Sequence, residues 1–124
     1  MNKANMNIWG RNFELPIMVK QFKGEEIATT QKEAVEHLKE CVNSINAEEA
    51  KVEEYIIEND LKTSGITRVD NIFKYVIPKI IFVPKDKQRT VAFMCNYKFD
   101  MEHGLAIVFE NEKLKDIGPQ DIVL

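Results

Sequence analysis

The chain has 124 residues, of which 44% are hydrophobic and 30% are charged, and its formal net charge is −3 at pH 7. This length and composition predict a single domain with an ordinary apolar core. No apolar run approaches the roughly 20 residues that cross a bilayer, and the N-terminus lacks the apolar stretch of a signal peptide. We therefore expect a cytoplasmic protein without membrane contact, in which Cys41 and Cys95 are reduced and buried.

The charge is unevenly distributed along the chain. Residues 25–60 carry eleven acidic side chains against three lysines, a net charge of −8, so the rest of the chain carries +5. An acidic segment repels a phosphate backbone, which argues against nucleic-acid binding. The same segment attracts basic proteins.

The N-terminal region contains one predicted strand. Residues 1–11 show no clear hydrophobic period, so we expect an N-terminal arm ahead of a single domain over residues 12–124. Apolar and polar residues alternate over residues 13–19, which predicts a half-buried strand. Pro16 lacks an N–H, which favours an edge position for this strand.

Three helices are predicted next. Capping boxes at Thr30–Glu33 and Asn46–Glu49 predict the starts of two helices. The apolar stripe of the first continues to Ile45, and the second ends near Gly65. Apolar residues recur at helical spacing over residues 67–77, which predicts a third helix.

The last third of the chain has the hydrophobic period of strands. Four short strands are predicted near residues 79–83, 90–99, 104–110 and 114–117. Because helices and strands are segregated along the chain, the pattern predicts an α+β domain. We expect an antiparallel sheet of about five strands, in which a strand precedes three helices and a C-terminal meander follows, with the helices packed on one face.

One turn brings acidic groups, an imidazole and a glycine together. Asp100, Glu102 and His103 carry groups that ligate divalent metals, and Asp121 is the only later candidate ligand. Neighbours on a tight turn point in divergent directions, however, and no second His or Cys cluster adds ligands. The pattern therefore favours a structural turn, in which Asp100 caps backbone N–H groups and Gly104 takes a positive φ.

The acidic helices offer a second candidate site. Like-charged pairs occur four residues apart, opposite an apolar stripe, at Glu49, Glu53, Glu54 and Glu58. Each such pair destabilises an isolated helix by roughly 0.2–0.5 kcal/mol. Two interpretations remain open, a solvated face that aids solubility and a docking face for a basic protein. No GxSxG, HExxH or phosphate-binding glycine loop is present, and we expect no cofactor.

Two blocks of sequence resemble a family of small bacterial domains of unknown function. FELP (residues 13–16), followed by FKGEEI (residues 22–27) and QKEAV (residues 31–35), is similar to the first strand and helix of that family. DMEHGLAIVF (residues 100–109) is similar to its C-terminal hairpin, D-x-E-H-G-(I/L)-A-(I/V)-x-F. Some members are thought to be immunity or accessory proteins of toxin systems, and the resemblance supports function by analogy.

The leading hypothesis is a non-enzymatic protein-binding module. In this interpretation an immunity or accessory protein docks a basic toxin domain through the acidic helices of residues 25–60. The alternative is a small metal-assisted enzyme or ligand-binding module that uses Asp100, Glu102 and His103. A third option is a homodimer that pairs through the strand of Pro16 or through the last strand.

Overall fold

A six-stranded mixed sheet forms the centre of the computed structural model, which describes residues 2–124. The strands lie side by side in chain order: β1 (Lys3–Ile8), β2 (Arg11–Val19), β3 (Val76–Val83), β4 (Thr90–Tyr97), β5 (Leu105–Glu110) and β6 (Lys113–Gly118). The β2–β3 pair is parallel, whereas the other neighbouring pairs are antiparallel. Between β2 and β3 the chain forms α1 (Thr29–Glu36), α2 (Leu38–Ala47) and α3 (Glu49–Ile56).

This architecture confirms the α+β class and the C-terminal meander of β3 to β6. The prediction of a purely antiparallel, five-stranded sheet is wrong. The sheet is mixed because the helical connection carries the chain back across the sheet, so β3 enters beside β2 in the same direction. The sixth strand is β1, which sequence patterning did not detect.

The prediction of an N-terminal arm over residues 1–11 is wrong, because β1 lies within these residues. Residues 3–8 pair with β2, and Ile8 is fully buried. Trp9 and Gly10 make the intervening two-residue turn, and both have a positive φ. Its apolar residues, Ala4, Met6 and Ile8, alternate with polar ones. Three such residues form too short a run to stand out from the polar sequence around them.

Pro16 does not lie on an edge strand, because β1 occupies that edge. The N–H of Ile17 donates to the Asn2 carbonyl at 2.9 Å, so Pro16 and Lys3 form a pair without hydrogen bonds between them. Pairing with β3 begins at Ile17, one residue later. Neither the pairing with β1 nor the pairing with β3 uses a backbone N–H at position 16, so Pro16 removes no hydrogen bond between strands.

The helix predicted over residues 67–77 is wrong. A short 3-10 turn at Ile72–Lys74 precedes β3, which begins at Val76. The first predicted helix is divided at His37 into α1 and α2. The break at Glu48 falls within the predicted start of the second helix, Asn46–Glu49, and this helix is α3. After α3 come a π turn (Ile57–Leu61) and a 3-10 turn, and the left-handed Gly65 ends the helical region as predicted.

The two faces of the sheet have different coverings. On one face the helices cover the main core, in which Phe93 and Phe109 meet edge to face at 5.7 Å. On the other face a smaller apolar cluster lies partly beneath Val123 of the C-terminal segment: Phe82, Ala92, Met94, Ala106 and Val108. Among the helices formed by residues 2–124, none combines the length and apolarity needed to cross a membrane.

Gln31 fastens α1 to the parallel strand pair. Its side chain is 1% exposed, and Nε2 donates to the carbonyls of Lys20 at 2.7 Å and Val83 at 3.3 Å. Its Oε1 accepts from the N–H of Ala28 at 2.8 Å. One amide thus joins the end of β2, the end of β3 and the start of α1.

We expect Gln31→Leu to lower the free energy of unfolding by roughly 2–4 kcal/mol, because it leaves the Lys20 carbonyl and the Ala28 N–H without partners. Lys32→Leu, at an exposed position on the same helix, is the matched control and should change it by less than about 0.5 kcal/mol. Urea unfolding followed by circular dichroism measures both. Equal stability of the two variants would contradict the role given to Gln31.

Candidate functional site

An acidic groove of about 550 Å³ runs between α3 and the edge strand β6. Glu54 and Glu58 line it from the helical side, and Asp116 lines it from β6. Glu48, at the junction of α2 and α3, adds a fourth carboxylate. The groove therefore gathers acidic groups from segments that are far apart in the sequence. We call it the α3–β6 groove.

The floor of the α3–β6 groove is apolar. Tyr55 of α3 and Leu114 and Ile117 of β6 line it, and each side chain is half-buried. Burial and the charge of Asp60 raise the pKa of the Tyr55 hydroxyl, so this group is neutral at physiological pH. An extended segment placed here would meet carboxylates at the rim and apolar surface beneath.

Two lysines also line the groove but do not neutralise it. Lys115 is held by Glu110 at 2.7 Å, and this hydrogen bond raises the pKa of Lys115. Lys51 is exposed. Outside the set of lining residues, Lys62 lies 3.4 Å from Glu58, but both side chains are largely solvated and such a pair contributes little. Four carboxylates against two ammonium groups leave the groove net negative.

The structure does not bring all four glutamates predicted as a docking face into one groove. Glu54 and Glu58 line the α3–β6 groove, and the same two side chains line a smaller neighbouring depression together with Glu53 and Arg68. Glu49 lies in the first turn of α3. Burial, and then the charge of Glu49, raise the pKa of Glu53. Sequence reasoning missed Asp116, because only the fold brings β6 beside α3.

The Asp100–Gly104 segment forms a locally hydrogen-bonded turn. One Asp100 carboxylate oxygen accepts from the backbone N–H of His103 at 3.0 Å, and Nδ1 of His103 lies 3.1 Å from both oxygens. The backbone hydrogen bond from His103 is the main reason that the pKa of Asp100 is lowered. The hydrogen bond to Asp100 raises the pKa of His103.

No metal centre is assembled from the candidate ligands. Nowhere in residues 2–124 do three or more His, Cys, Asp or Glu side chains lie in an arrangement able to hold a metal ion. Glu102 is exposed, and Asp121 lies in the separate C-terminal turn Gln120–Ile122. Asp121 acts on His103 only through its charge.

A glycine lets the C-terminal segment close over this turn. Gly104 has a φ of +63°, and its N–H donates to the Asp100 carbonyl at 2.8 Å. Gln120 packs directly against it, donating its backbone N–H to the His103 carbonyl at 3.1 Å and its amide to the Cys95 carbonyl at 3.2 Å. A side chain at Gly104 would occupy the space of the Gln120 amide.

A charged cluster that sequence reasoning did not find fastens the β5–β6 hairpin to the helices. Arg89 binds both carboxylate oxygens of Glu112, at 2.8 and 2.9 Å. That ion pair is the main reason that the pKa of Glu112 is lowered. The Ser44 hydroxyl donates to the Glu112 carbonyl at 2.6 Å, and His37 lies 3.8 Å from its carboxylate. Because these residues lie far apart in the sequence, no local sequence pattern predicted their contacts.

The two thiols are not poised for nucleophilic chemistry. Cys41 lies close to the Arg89–Glu112 pair, but burial raises the pKa of its thiol to about 12. Cys95 is fully buried, and burial also raises its pKa. A reactive cysteine needs a lowered pKa and access to solvent, and neither thiol has either property.

Comparison with protein-family models gives a match over residues 2–124 to the family described as "Domain of unknown function (DUF6985)". The chain belongs to this family. The predicted membership of a family of domains of unknown function is thereby confirmed at that level. The curated proteins include no match to the chain, and the solved structures include none either.

We expect Gly104→Ala to destabilise the protein more than Gly10→Ala. Both positions have a left-handed backbone, which costs an L-residue roughly 1–2 kcal/mol. At Gly10 nothing lies within 4 Å of an added Cβ, whereas at Gly104 the Cys95 carbonyl oxygen would lie at 2.7 Å. The clash should add at least about 1 kcal/mol. Urea unfolding measures the free energy of unfolding of both variants. Equal losses of stability would contradict the close contact of Gly104 with Cys95 and Gln120.

The His103 imidazole should titrate with a midpoint above 6.5, the value of an unperturbed histidine. Because its pKa is raised in the folded state, its stabilising contribution is present below pH 6.5 and is lost as pH rises through the folded pKa. Asp100→Asn should lower the midpoint, whereas Asp121→Asn should change it less. Nuclear magnetic resonance of the imidazole protons measures the titration midpoint of His103 in the wild type and in both variants. An unchanged midpoint in Asp100→Asn would contradict the Asp100–His103 contact.

Proposed function

We propose that the protein is a non-enzymatic binding module that holds a basic segment of a partner protein in the α3–β6 groove. The supporting observation is the convergence of Glu54, Glu58 and Asp116 on an apolar floor. Acidic residues scattered over a surface serve solubility equally well. A groove with a charged rim and an apolar base is instead the arrangement of a protein interface.

The electrostatics of the groove favour a cationic partner. Residues 25–60 carry a net charge of −8, and the α3–β6 groove adds Asp116 from outside that segment. A concentrated negative potential accelerates encounter with a basic surface and repels acidic ones. The apolar floor then supplies contacts that salt does not screen.

Membership of a family of unknown function does not name the partner. We infer that it is a basic toxin domain and that this protein is its immunity or accessory factor. The basis is the hairpin of residues 100–109, which is similar to that of bacterial domains thought to act in toxin systems. Neutralisation by occlusion requires only a tight complex, which agrees with a site built from a groove rather than from catalytic groups.

The test is a variant that removes charge from the groove and keeps its shape: Glu54→Gln, Glu58→Gln and Asp116→Asn together. At low salt we expect association with the partner to be about tenfold slower, because steering by the groove is lost. The difference should narrow at moderate salt, where the charges are screened. A matched control carries Glu26→Gln, Glu36→Gln and Glu102→Gln, at exposed positions outside the groove.

Tagged wild-type, groove-variant and control proteins serve as baits in native lysate at low and moderate salt, with captured proteins identified by mass. The purified partner is then used to measure association rates. If a stoichiometric basic partner is found and the groove variant binds it as fast as wild type does, the α3–β6 groove is not the docking site. No partner for wild type at either salt would contradict the binding function itself.

A further inference from the structure

Tyr55 places an aromatic ring among carboxylates in the floor of the α3–β6 groove. The ring packs against the buried Tyr97, with ring centroids 6.3 Å apart, and it also lines the groove. Glu58 lines the helical wall of the groove, and Asp116 lines the wall formed by β6. Burial is the main reason that the pKa of Tyr55 is raised, and the charges of Asp60 and Asp116 add to it. A cation placed against this ring would therefore also meet carboxylates from both walls.

Other aromatic rings that reach solvent are covered by cations of the chain itself. The distances from the charged groups to the ring centroids lie between 4.1 and 5.9 Å. Four rings are covered in this way: Arg11 lies over Phe73, Lys20 over Phe22, and Lys98 over both Tyr75 and Phe99. Within residues 2–124 no lysine or arginine lies over the Tyr55 ring, although Lys51 and Lys115 line the same groove. The Tyr55 ring can therefore accept a cation from another molecule.

The carboxylates beside the ring also have capacity for a cation. None of the ion pairs formed within residues 2–124 includes Glu54 or Asp116. Glu58 pairs with Lys62 at 3.4 Å, but both side chains are largely solvated. Asp116 accepts from the backbone N–H of Ile117 at 2.9 Å, which uses one of its two carboxylate oxygens. The groove thus offers acceptors that the basic side chains of this chain leave available.

We propose that Tyr55 selects an arginine of the partner segment, whose guanidinium lies against the ring and donates to Asp116 and Glu58. This inference rests on the proposed function and names the side chain that the groove recognises. A guanidinium is planar and carries its N–H donors in that plane, so it can lie on a ring and still donate to carboxylates at its edges. The half-buried Leu114 and Ile117 line the floor where the apolar stem of the arginine would pack.

Lysine fits the same surroundings less well. Its ammonium group is a compact and strongly hydrated charge, so contact with the ring competes with contact with a carboxylate. A guanidinium is more weakly hydrated and makes both contacts together. The groove should therefore distinguish two basic segments that carry the same net charge.

The test uses two short capped peptides of equal charge, in which alanine alternates either with arginine or with lysine. Nuclear magnetic resonance titration of the wild type at low salt measures both affinities from the shifts of the groove amides. We expect the arginine peptide to bind about fivefold more tightly, because the ring favours guanidinium over ammonium. The Tyr55 ring protons should shift with the arginine peptide and much less with the lysine peptide.

Variants at position 55 separate the ring from the charge of the groove. Tyr55→Leu keeps an apolar floor and removes the ring, so it should bind the arginine peptide only as tightly as the lysine peptide. Its affinity for the lysine peptide should stay near that of wild type, which also reports that the variant is folded. Tyr55→Phe keeps the ring and should retain the preference for arginine. Phe22→Leu is the matched control, because Phe22 is 50% exposed and lies outside the groove, and it should behave like wild type.

Several results would overturn the selection of arginine while leaving the groove as a site for basic segments. They are equal affinity of the wild type for both peptides, a preference that persists in Tyr55→Leu, and a preference that is lost in Tyr55→Phe. If Tyr55→Leu does not fold, ring protons of wild-type Tyr55 that fail to shift with the arginine peptide overturn the inference by themselves. Binding of neither peptide to the wild type would instead contradict the proposed function, and this inference with it.

Discussion

The parallel pairing of β2 with β3 is the constraint on which the other elements depend. It is short, joining residues 17–19 to residues 81–83, yet within residues 2–124 it is the only sheet pairing that joins the N-terminal hairpin to the C-terminal meander. A short parallel ladder contributes little by itself. Gln31 extends it, because its amide reaches the carbonyl of Val83, the last paired residue of β3, and that of Lys20, which lies just past the paired residues of β2. The N–H of Lys20 donates to the same Val83 carbonyl at 2.9 Å.

The α3–β6 groove follows from this arrangement. Since the helical segment must return to the sheet to start β3, α1 to α3 are confined to one face, and α3 comes to lie beside the last strand. The Arg89–Glu112 ion pair and the Ser44 hydroxyl hold the tip of the β5–β6 hairpin against the helices. The position of Asp116 opposite the glutamates of α3 therefore depends on contacts made at the other end of its strand.

The sequence predicted the parts of the fold whose hydrophobic pattern fits only one type of secondary structure. β3 to β5 are apolar runs that are largely buried, whereas in β6 only Leu114 and Ile117 supply half-buried apolar side chains. The helix predicted over residues 67–77 failed because Ile72 and Val76 match helical spacing, while the sheet buries Val76 opposite Tyr97. β1 was missed because three isolated apolar residues between asparagines carry little signal. For the candidate site, composition located Glu54 and Glu58, but only the tertiary structure places Asp116 beside them.

The mixed sheet also has a consequence for the order of folding. The β1–β2 hairpin and the β3–β6 meander each join neighbouring segments, so they close short loops, whereas β2 must wait for β3. Closing the long crossover is the entropically expensive step and should come late. During synthesis the hairpin leaves the ribosome with Ile17 and Val19 uncovered, and they acquire their partners only when residues 81–83 have emerged. The segment made in between includes the acidic residues 25–60, whose mutual repulsion keeps the growing chain soluble until the sheet closes.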